Sequence, residues 1–312
     1  MRCPVCEKEC SPAGSLYDDR YGYPGAFPLY GCASCGHKFL KAEFSEGDLR
    51  KLYSEYYPRS GRSLESYIVP EEKAGLKPWF QGDMCSPFRW VPEKVKVLDI
   101  GCGFGESLGY YEKRGCEAYG VEADENIRRV AERFGFKVHV GLFDPDMYKE
   151  NFFDYVTMAQ VIEHVADPLA NLKGAAKVLR PGGTLILSTP NSNGWGARFF
   201  GRKWINWHAP YHLQHFSIKS MRIAAENAGL EVKGWRTVTS SEWLYYQWLH
   251  LAAYPKAGEP SPFWSQKELT KRQGRLAGVI AWLHARKLNH FVTRFFDSIG
   301  MGDNFVFVLT KP

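Results

Sequence analysis

Val95-Lys96-Val97-Leu98-Asp99-Ile100-Gly101-Cys102-Gly103-Phe104-Gly105 decides how this chain folds. The apolar run Val95 to Ile100 reads as a buried parallel strand that stops at three glycines spaced two apart. Gly101, Gly103 and Gly105 let the backbone turn tightly and approach a ligand with no Cβ atoms in the way. The next stretch, Glu106 to Arg114, reads as a helix whose free N–H groups face whatever the turn cradles. A strand, a glycine turn and a helix also begin dinucleotide folds, so the motif alone is not decisive.

Working outward, Asp99 sits immediately before the turn. A carboxylate there repels phosphates and welcomes a cationic ligand. Glu117 to Val121 reads as a second strand ending in Glu122, 23 positions after Asp99. That is about where an acidic strand end grips ribose hydroxyls. Gly135 to Val140 reads as a third strand, Phe153 to Met158 as the start of a fourth, and Leu179 to Leu187 enters a fifth. Asp167-Pro168 reads as a helix cap followed by proline at the first helical position. Taken in order, LDIGCGFG, GVEAD, FDYV, IEHVADP and LRPGGTLILSTPN resemble the class I S-adenosylmethionine-dependent methyltransferases over roughly Val95 to Asn191.

This resemblance implies an α/β fold: a doubly wound, mostly parallel, Rossmann-like seven-stranded sheet. It also implies S-adenosyl-L-methionine as cofactor. Glu122, with Ala123 beside it, is expected at the ribose. Asp99 and the turn Gly101-Cys102-Gly103-Phe104-Gly105 are expected at the amino-acid end. Phe143 and Asp144 are expected at adenine, and Gln160 at the end of the fourth strand. The methyl group should lie beyond that strand end, which places Glu163 and His164 near the chemistry. His164 reads either as a general base or as a ring that fixes the loop through a backbone hydrogen bond. In the aromatic segment before the glycine motif, Tyr56 and Tyr57 read either as a cover for the cofactor or as linker packing.

The 312 residues carry 45% apolar and 24% charged side chains, the balance of a globular protein rather than a disordered chain. A net charge of +6 is short of the basic footprint of a dedicated nucleic-acid binder. The N-terminus has no apolar leader, which points to the cytoplasm. Cys3-Pro4-Val5-Cys6 and Cys32-Ala33-Ser34-Cys35 form two knuckles separated by 25 residues. Four thiolates close a tetrahedral sphere, so Cys3, Cys6, Cys32 and Cys35 read as a structural Zn2+ site.

Beyond Asn191 the composition turns to Trp, Arg and His. Trp207-His208-Ala209-Pro210-Tyr211-His212-Leu213-Gln214-His215-Phe216-Ser217 resembles a substrate-side segment of methyltransferases of sugar, polyketide and quinone metabolism. Its histidine spacings cross a proline, so no helix face presents them to a metal. His208 and His212 read as acceptor-binding or proton-handling groups, and His215 as structural. Glu231 to Thr239 and Asn304 to Thr310 read as the last two strands, with an insertion of about two helices between them. The expected organisation is a zinc-ribbon-like module (1–44), a linker or cap (45–92), the cofactor domain (93–240 and 303–312) and the insertion (241–302). The insertion reads as a lid, a homodimer element or a basic amphipathic membrane-surface element. The acceptor is expected to be a small molecule, first a nucleotide-activated sugar methylated at O or C. A lipid-linked or quinone-like acceptor comes second and RNA third.

Overall fold

The computed structural model describes residues 1–42, 44–56, 63–72 and 75–312. Tyr57 lies outside the described residues. Apolar runs without alternation form the larger sheet: β4 (Lys96–Ile100), β5 (Glu117–Glu122), β6 (Lys137–Val140), β7 (Phe153–Ala159), β8 (Leu179–Pro190), β10 (Glu231–Thr237) and β11 (Asn304–Thr310). Their order is β10-β11-β8-β7-β4-β5-β6, and β11 alone runs against its neighbours. Val97, Leu98, Val156, Leu185 and Leu187 are fully buried within it. Crossover helices α3 (Glu106–Lys113), α4 (Ile127–Phe134) and α5 (Pro168–Val178) join the parallel strands. Asp167 caps α5 by accepting from Ala170 N at 2.9 Å, with Pro168 at the first helical position. Gly135 closes α4 in the left-handed region (φ 76°), so β6 starts at Lys137, two residues later than expected.

After β4 the sheet grows one way through β5 and β6, and after β7 it grows the other way. The crevice beyond the β4 and β7 ends is therefore the topological switch point where ligands collect. The two loops there touch, because a Cβ on Gly101 would overlap the Val161 side chain.

A second sheet, β1-β2-β3-β9, is antiparallel: β1 (Ser11–Leu16), β2 (Phe27–Gly31), β3 (Lys38–Leu40) and β9 (Gln214–His215). Its last strand comes from far along the chain and ties the N-terminal ribbon to the methyltransferase-like half. Helix α7 (Ile218–Asn227) follows at once, capped by Ser217 and Ser220 reciprocally. Cys3, Val5, Cys32 and Cys35 share one apolar cluster with Phe216, Met221 and Ala224.

The shorter helices are α1 (Glu46–Lys51), α2 (Leu76–Gln81) and α6 (Trp195–Phe200). Tyr56 packs edge-on against Tyr23 at 5.1 Å, so it joins the linker to the N-terminal half. The insertion holds three helices rather than about two: α8 (Ser241–Ala252), α9 (Lys271–Ala285) and α10 (Leu288–Ser298). Helix α8 is aromatic on nearly every side, so no apolar stripe marks it in the sequence.

Candidate active site

The glycine turn and Glu122 meet as expected. Gly101, Gly103 and Gly105 have φ of 76°, 58° and 81°, a region that L side chains avoid. Gly103 N donates to Glu122 Oε2 at 2.8 Å, and Asp124 N donates to Glu122 Oε1 at 2.9 Å. Gly103, Phe104, Glu106, Glu122, Asp124 and Asn126 line a cavity of about 360 Å³. A Cβ on Gly103 would meet nothing within 4 Å, so the turn is open toward a ligand there. Tyr67, from the segment before the motif, donates to Gly105 O at 3.1 Å. Its role was hidden among the many aromatics of that segment.

Other residues assigned to the cofactor face elsewhere. Asp99 is buried, accepting from Ser107 Oγ and from Thr157 Oγ1 (2.7 Å), with Tyr111 behind at 3.0 Å from Thr157. Burial lifts its carboxyl to about 6 although both hydroxyls pull it down. Asp99 thus braces the turn from inside the sheet. Cys102 is also buried, its sulfur seated where a Cβ on Gly120 would go, and burial pushes its thiol well up. Phe143 turns into the core and abuts Gly174 of α5. Asp144 is exposed and caps the turn Pro145–Met147, its Oδ1 accepting from Asp146 N at 2.9 Å. Beside them Leu142 stands 82% exposed, an apolar side chain that the sequence reading passed over. Ala123 is exposed next to Glu122.

A buried polar cluster lies past the β7 end. Gln160 adopts φ 56°, an uncommon value for a side chain of its size. Its amide, oriented to satisfy its neighbours, accepts from Ser188 Oγ at 3.0 Å and donates to Glu163 Oε1 at 3.3 Å. Glu163 is 1% exposed, and Thr189 Oγ1 donates to its Oε2 at 2.9 Å. Burial raises its carboxyl to about 8. Leu213 N and Gln214 N both donate to Glu163 O, at 2.8 and 2.9 Å. Those two bonds zip the histidine segment onto the β7 loop and bring His164 and His212 together, ring centres 4.7 Å apart at 85°.

His164 Nδ1 lies 2.9 Å from Tyr211 O and His212 Nδ1 lies 2.9 Å from Asn206 O. A carbonyl only accepts, so both rings carry the proton on Nδ1 and keep the Nε2 lone pair. Burial lowers His164 to about 4 and His212 further, and the Arg20 guanidinium adds to both shifts. His208 sits behind, its ring 4.9 Å from that of His212 and 4.8 Å from that of Tyr211. His215 packs on Trp207 at 4.8 Å.

The four knuckle cysteines converge. Cys3 Sγ and Cys35 Sγ are 3.6 Å apart, Cys6 Sγ and Cys32 Sγ 3.5 Å, and all four lie within 4.8 Å of one another. Sulfurs about 2.3 Å from one tetrahedral ion stand about 3.8 Å apart, so the spacing suits a metal and is far too long for disulfides. Backbone N–H groups of Val5 and Cys6 point at Cys3, and that of His37 at Cys35.

A doubly wound sheet with a glycine turn clasped by a strand-end carboxylate defines a Rossmann-like enzyme of the class I methyltransferase fold. The chain belongs to the methyltransferase-domain family, whose model matches residues 49–233. The ubiquinone biosynthesis O-methyltransferase of Xanthomonas axonopodis pv. citri (strain 306) is 29% identical over 158 residues, 46% of this chain and 66% of that protein. The protein of the same name from Pseudomonas aeruginosa (strain LESB58) is 31% identical over 162 residues, 46% of this chain and 70% of that protein. The chain spans 66%, 43% and 53% of the length of three such relatives. The solved S-adenosylmethionine dependent methyltransferase of Mesorhizobium loti superposes with a TM-score of 0.46 at 14% identity, over 75% of this chain and 97% of that one. Among the described residues no helix is long and apolar enough to cross a membrane.

Proposed function

We propose that this chain moves a methyl group from S-adenosylmethionine to an oxygen of a quinone-like acceptor with an apolar tail, working at an anionic lipid surface. The observation that carries the acceptor class is the inverted polarity of the insertion. Helix α10 buries Asn289, His290, Thr293 and Arg294, yet exposes Phe291 (62%) and Phe295 (60%), with Ile299 (52%) exposed just past its end. Helix α9 buries no residue and exposes Leu276, Val279 and Trp282. Lys271, Arg272, Arg275, Arg286 and Lys287 accompany these side chains, and no acidic residue occurs from 271 to 296. A cationic, apolar face of this kind suits an anionic interface. The names of the relatives place them in ubiquinone biosynthesis, which puts this acceptor ahead of a sugar or RNA.

The cofactor supplies an activated methyl group on a cationic sulfur. The chain's task is then alignment and a destination for one proton. In this reading Glu122 takes the ribose hydroxyls, the glycine turn holds the amino-acid end, and Leu142 covers one face of adenine. The neutral His164 and His212 present lone pairs past the β7 end, where an acceptor hydroxyl would lose its proton. Zn2+ at Cys3, Cys6, Cys32 and Cys35 would hold the ribbon and, through β9, the histidine segment.

The test offers methyl-labelled S-adenosylmethionine with hydroxylated prenylphenols, or with nucleotide sugars, in the presence of anionic vesicles. Label in the prenylphenol is the expected result. Label only in the sugar pool would overturn the acceptor assignment and leave methyl transfer intact.

A further inference from the structure

We propose that the cavity between α6, α7 and the link from α10 to β11 is a second binding site, for a ligand that carries a phosphate group. It measures about 540 Å³, against about 360 Å³ for the cavity at Glu122, and the two share no lining residue. One wall is the turn that follows β8, where Asn191 accepts from Asn193 N at 3.1 Å and donates to Gly302 O at 2.9 Å. Another is a single side of α7, because Ile218, Arg222 and Glu226 recur at the helical interval and Lys219 stands beside them. Arg198 of α6 completes the charged lining.

Among the described residues none of these three cations forms an ion pair. Elsewhere on the surface Arg114, Arg128, Lys137, Lys177 and Arg180 each hold an acid at 3.0 Å or less. Arg198 donates through Nε and Nη2 to Asn193 Oδ1, at 3.3 and 2.9 Å, and Lys219 Nζ donates to Ser34 O at 2.5 Å. Both partners are neutral, so both cations keep their charge. Burial and then the Arg198 guanidinium hold the Lys38 ammonium below its usual range, so that charge is felt beyond the cavity as well. Glu226 opposes an anion. It stands one turn after Arg222, the reverse of the order that favours pairing along a helix, and the two make no ion pair. The positive end of the α7 dipole, at Ile218 and Lys219, adds to the field of the side chains.

Three cations less one carboxylate leave the walls with a charge of +2. A carboxylate ligand, with one charge and two oxygens, would satisfy only part of that. A phosphate monoester brings a charge of about −1.5 to −2 at pH 7 and three terminal oxygens, and guanidinium forks suit those oxygens. Phe199, 77% exposed, follows Arg198, and Ile299, 52% exposed, precedes Gly300 of the lining. A phosphate that bears an apolar chain would thus find apolar contacts next to the charged ones. The site stands whether or not the methyl acceptor is a quinone.

The full chain, with S-adenosylhomocysteine present in excess, is titrated into glycerol phosphate and, separately, into monomeric dihexanoyl phosphatidic acid, each followed by phosphorus nuclear magnetic resonance. One bound phosphate per chain is expected. Arg222→Ala should weaken it at least about 10-fold, and Glu226→Gln should tighten it. Both side chains are exposed on α7, so both variants keep the fold. Equal affinity for the two probes, with this dependence on the variants, assigns the site to a free phosphate ester. Tighter binding of the phosphatidic acid, with the same dependence, assigns it to a lipid headgroup. Wild-type protein that binds neither probe overturns the site, as does binding that neither substitution alters. S-adenosylhomocysteine affinity, measured first by calorimetry, separates this failure from failure of the methyltransferase reading.

Discussion

At the scale of single residues, the two acids that bracket the glycine turn behave differently. Glu122 lies on the cavity with both oxygens held by backbone N–H groups, from Gly103 and Asp124. Replacing it by alanine should weaken S-adenosylhomocysteine binding by about 1–3 kcal/mol, read by calorimetry; undiminished affinity would remove it from the site. Asp99 is sealed inside, and its effect is on stability. Its carboxyl is raised from 3.8 to about 6 by burial. A raised folded-state value means that its stabilising contribution is full below about pH 4 and is lost as pH climbs through 6. In cofactor-free protein, the advantage of wild type over Asp99→Asn should shrink by about 2–3 kcal/mol between pH 4 and 6, then stay flat. Urea melts showing a pH-independent difference would refute this. The positions of these acids were legible in the sequence, because strand ends and glycines fix them. Their facing was not: Asp99 looks like a ligand until Ser107 and Thr157 are seen to occupy it, and both hydroxyls come from other elements. Phe143 and Leu142 make the same point: of these neighbours on one loop, Phe143 packs on the core and Leu142 stands exposed, and no local pattern says which does which.

At the scale of elements, the ribbon and the histidine segment form one unit. Strand β9 completes the ribbon sheet, and His37 Nε2 lies 2.9 Å from Gln214 Oε1. Gln214 Nε2 in turn donates to Val165 O and Ala166 O at 3.1 and 3.2 Å, just past Glu163 and His164. Helix α7 grips the knuckles as well, through Asn227 Nδ2 to Val5 O at 2.8 Å and Lys219 Nζ to Ser34 O at 2.5 Å. The strands of the larger sheet and the two cysteine pairs could be read from local pattern. A two-residue strand supplied by residue 214 could not, because pairing across nearly 180 positions leaves no local signal. Loss of the Zn2+ proposed for the four thiolates should therefore be felt at both places. Cys32→Ser is expected to lower Tm by roughly 5–10 °C and to speed amide exchange in residues 1–40 and 213–228. The glycine turn should keep its protection, because it is held by β4 and β5. Uniform loss of protection over the whole chain would contradict this division.

At the scale of the whole molecule, the insertion turns its apolar side outward in a way the cofactor fold does not require. Helix α10 is anchored by buried polar bonds: Arg294 reaches Trp79 O (2.5 Å) and Thr239 O and pairs with Asp297 at 2.6 Å, while Asn289 Nδ2 donates to Ser241 O at 2.6 Å. Its apolar side is left to the outside, where Phe291 and Phe295 join Trp282 of α9 as large exposed rings. Burying apolar surface is worth about 25 cal/mol per Å2, so even a few such rings give measurable partition into an interface. The cations along α9 add an attraction that salt screens. Flotation with vesicles rich in anionic lipid should carry the protein upward at low salt and less of it at high salt. Neutral vesicles should carry less. The double variant Phe291→Ser/Phe295→Ser should stay at the bottom while binding S-adenosylhomocysteine as wild type does, because neither ring belongs to the cofactor cleft. A concentration-dependent dimer that ignores vesicles and is broken by the same variant would instead assign this face to a second copy of the chain. The acceptor would then have to reach the cleft from solution.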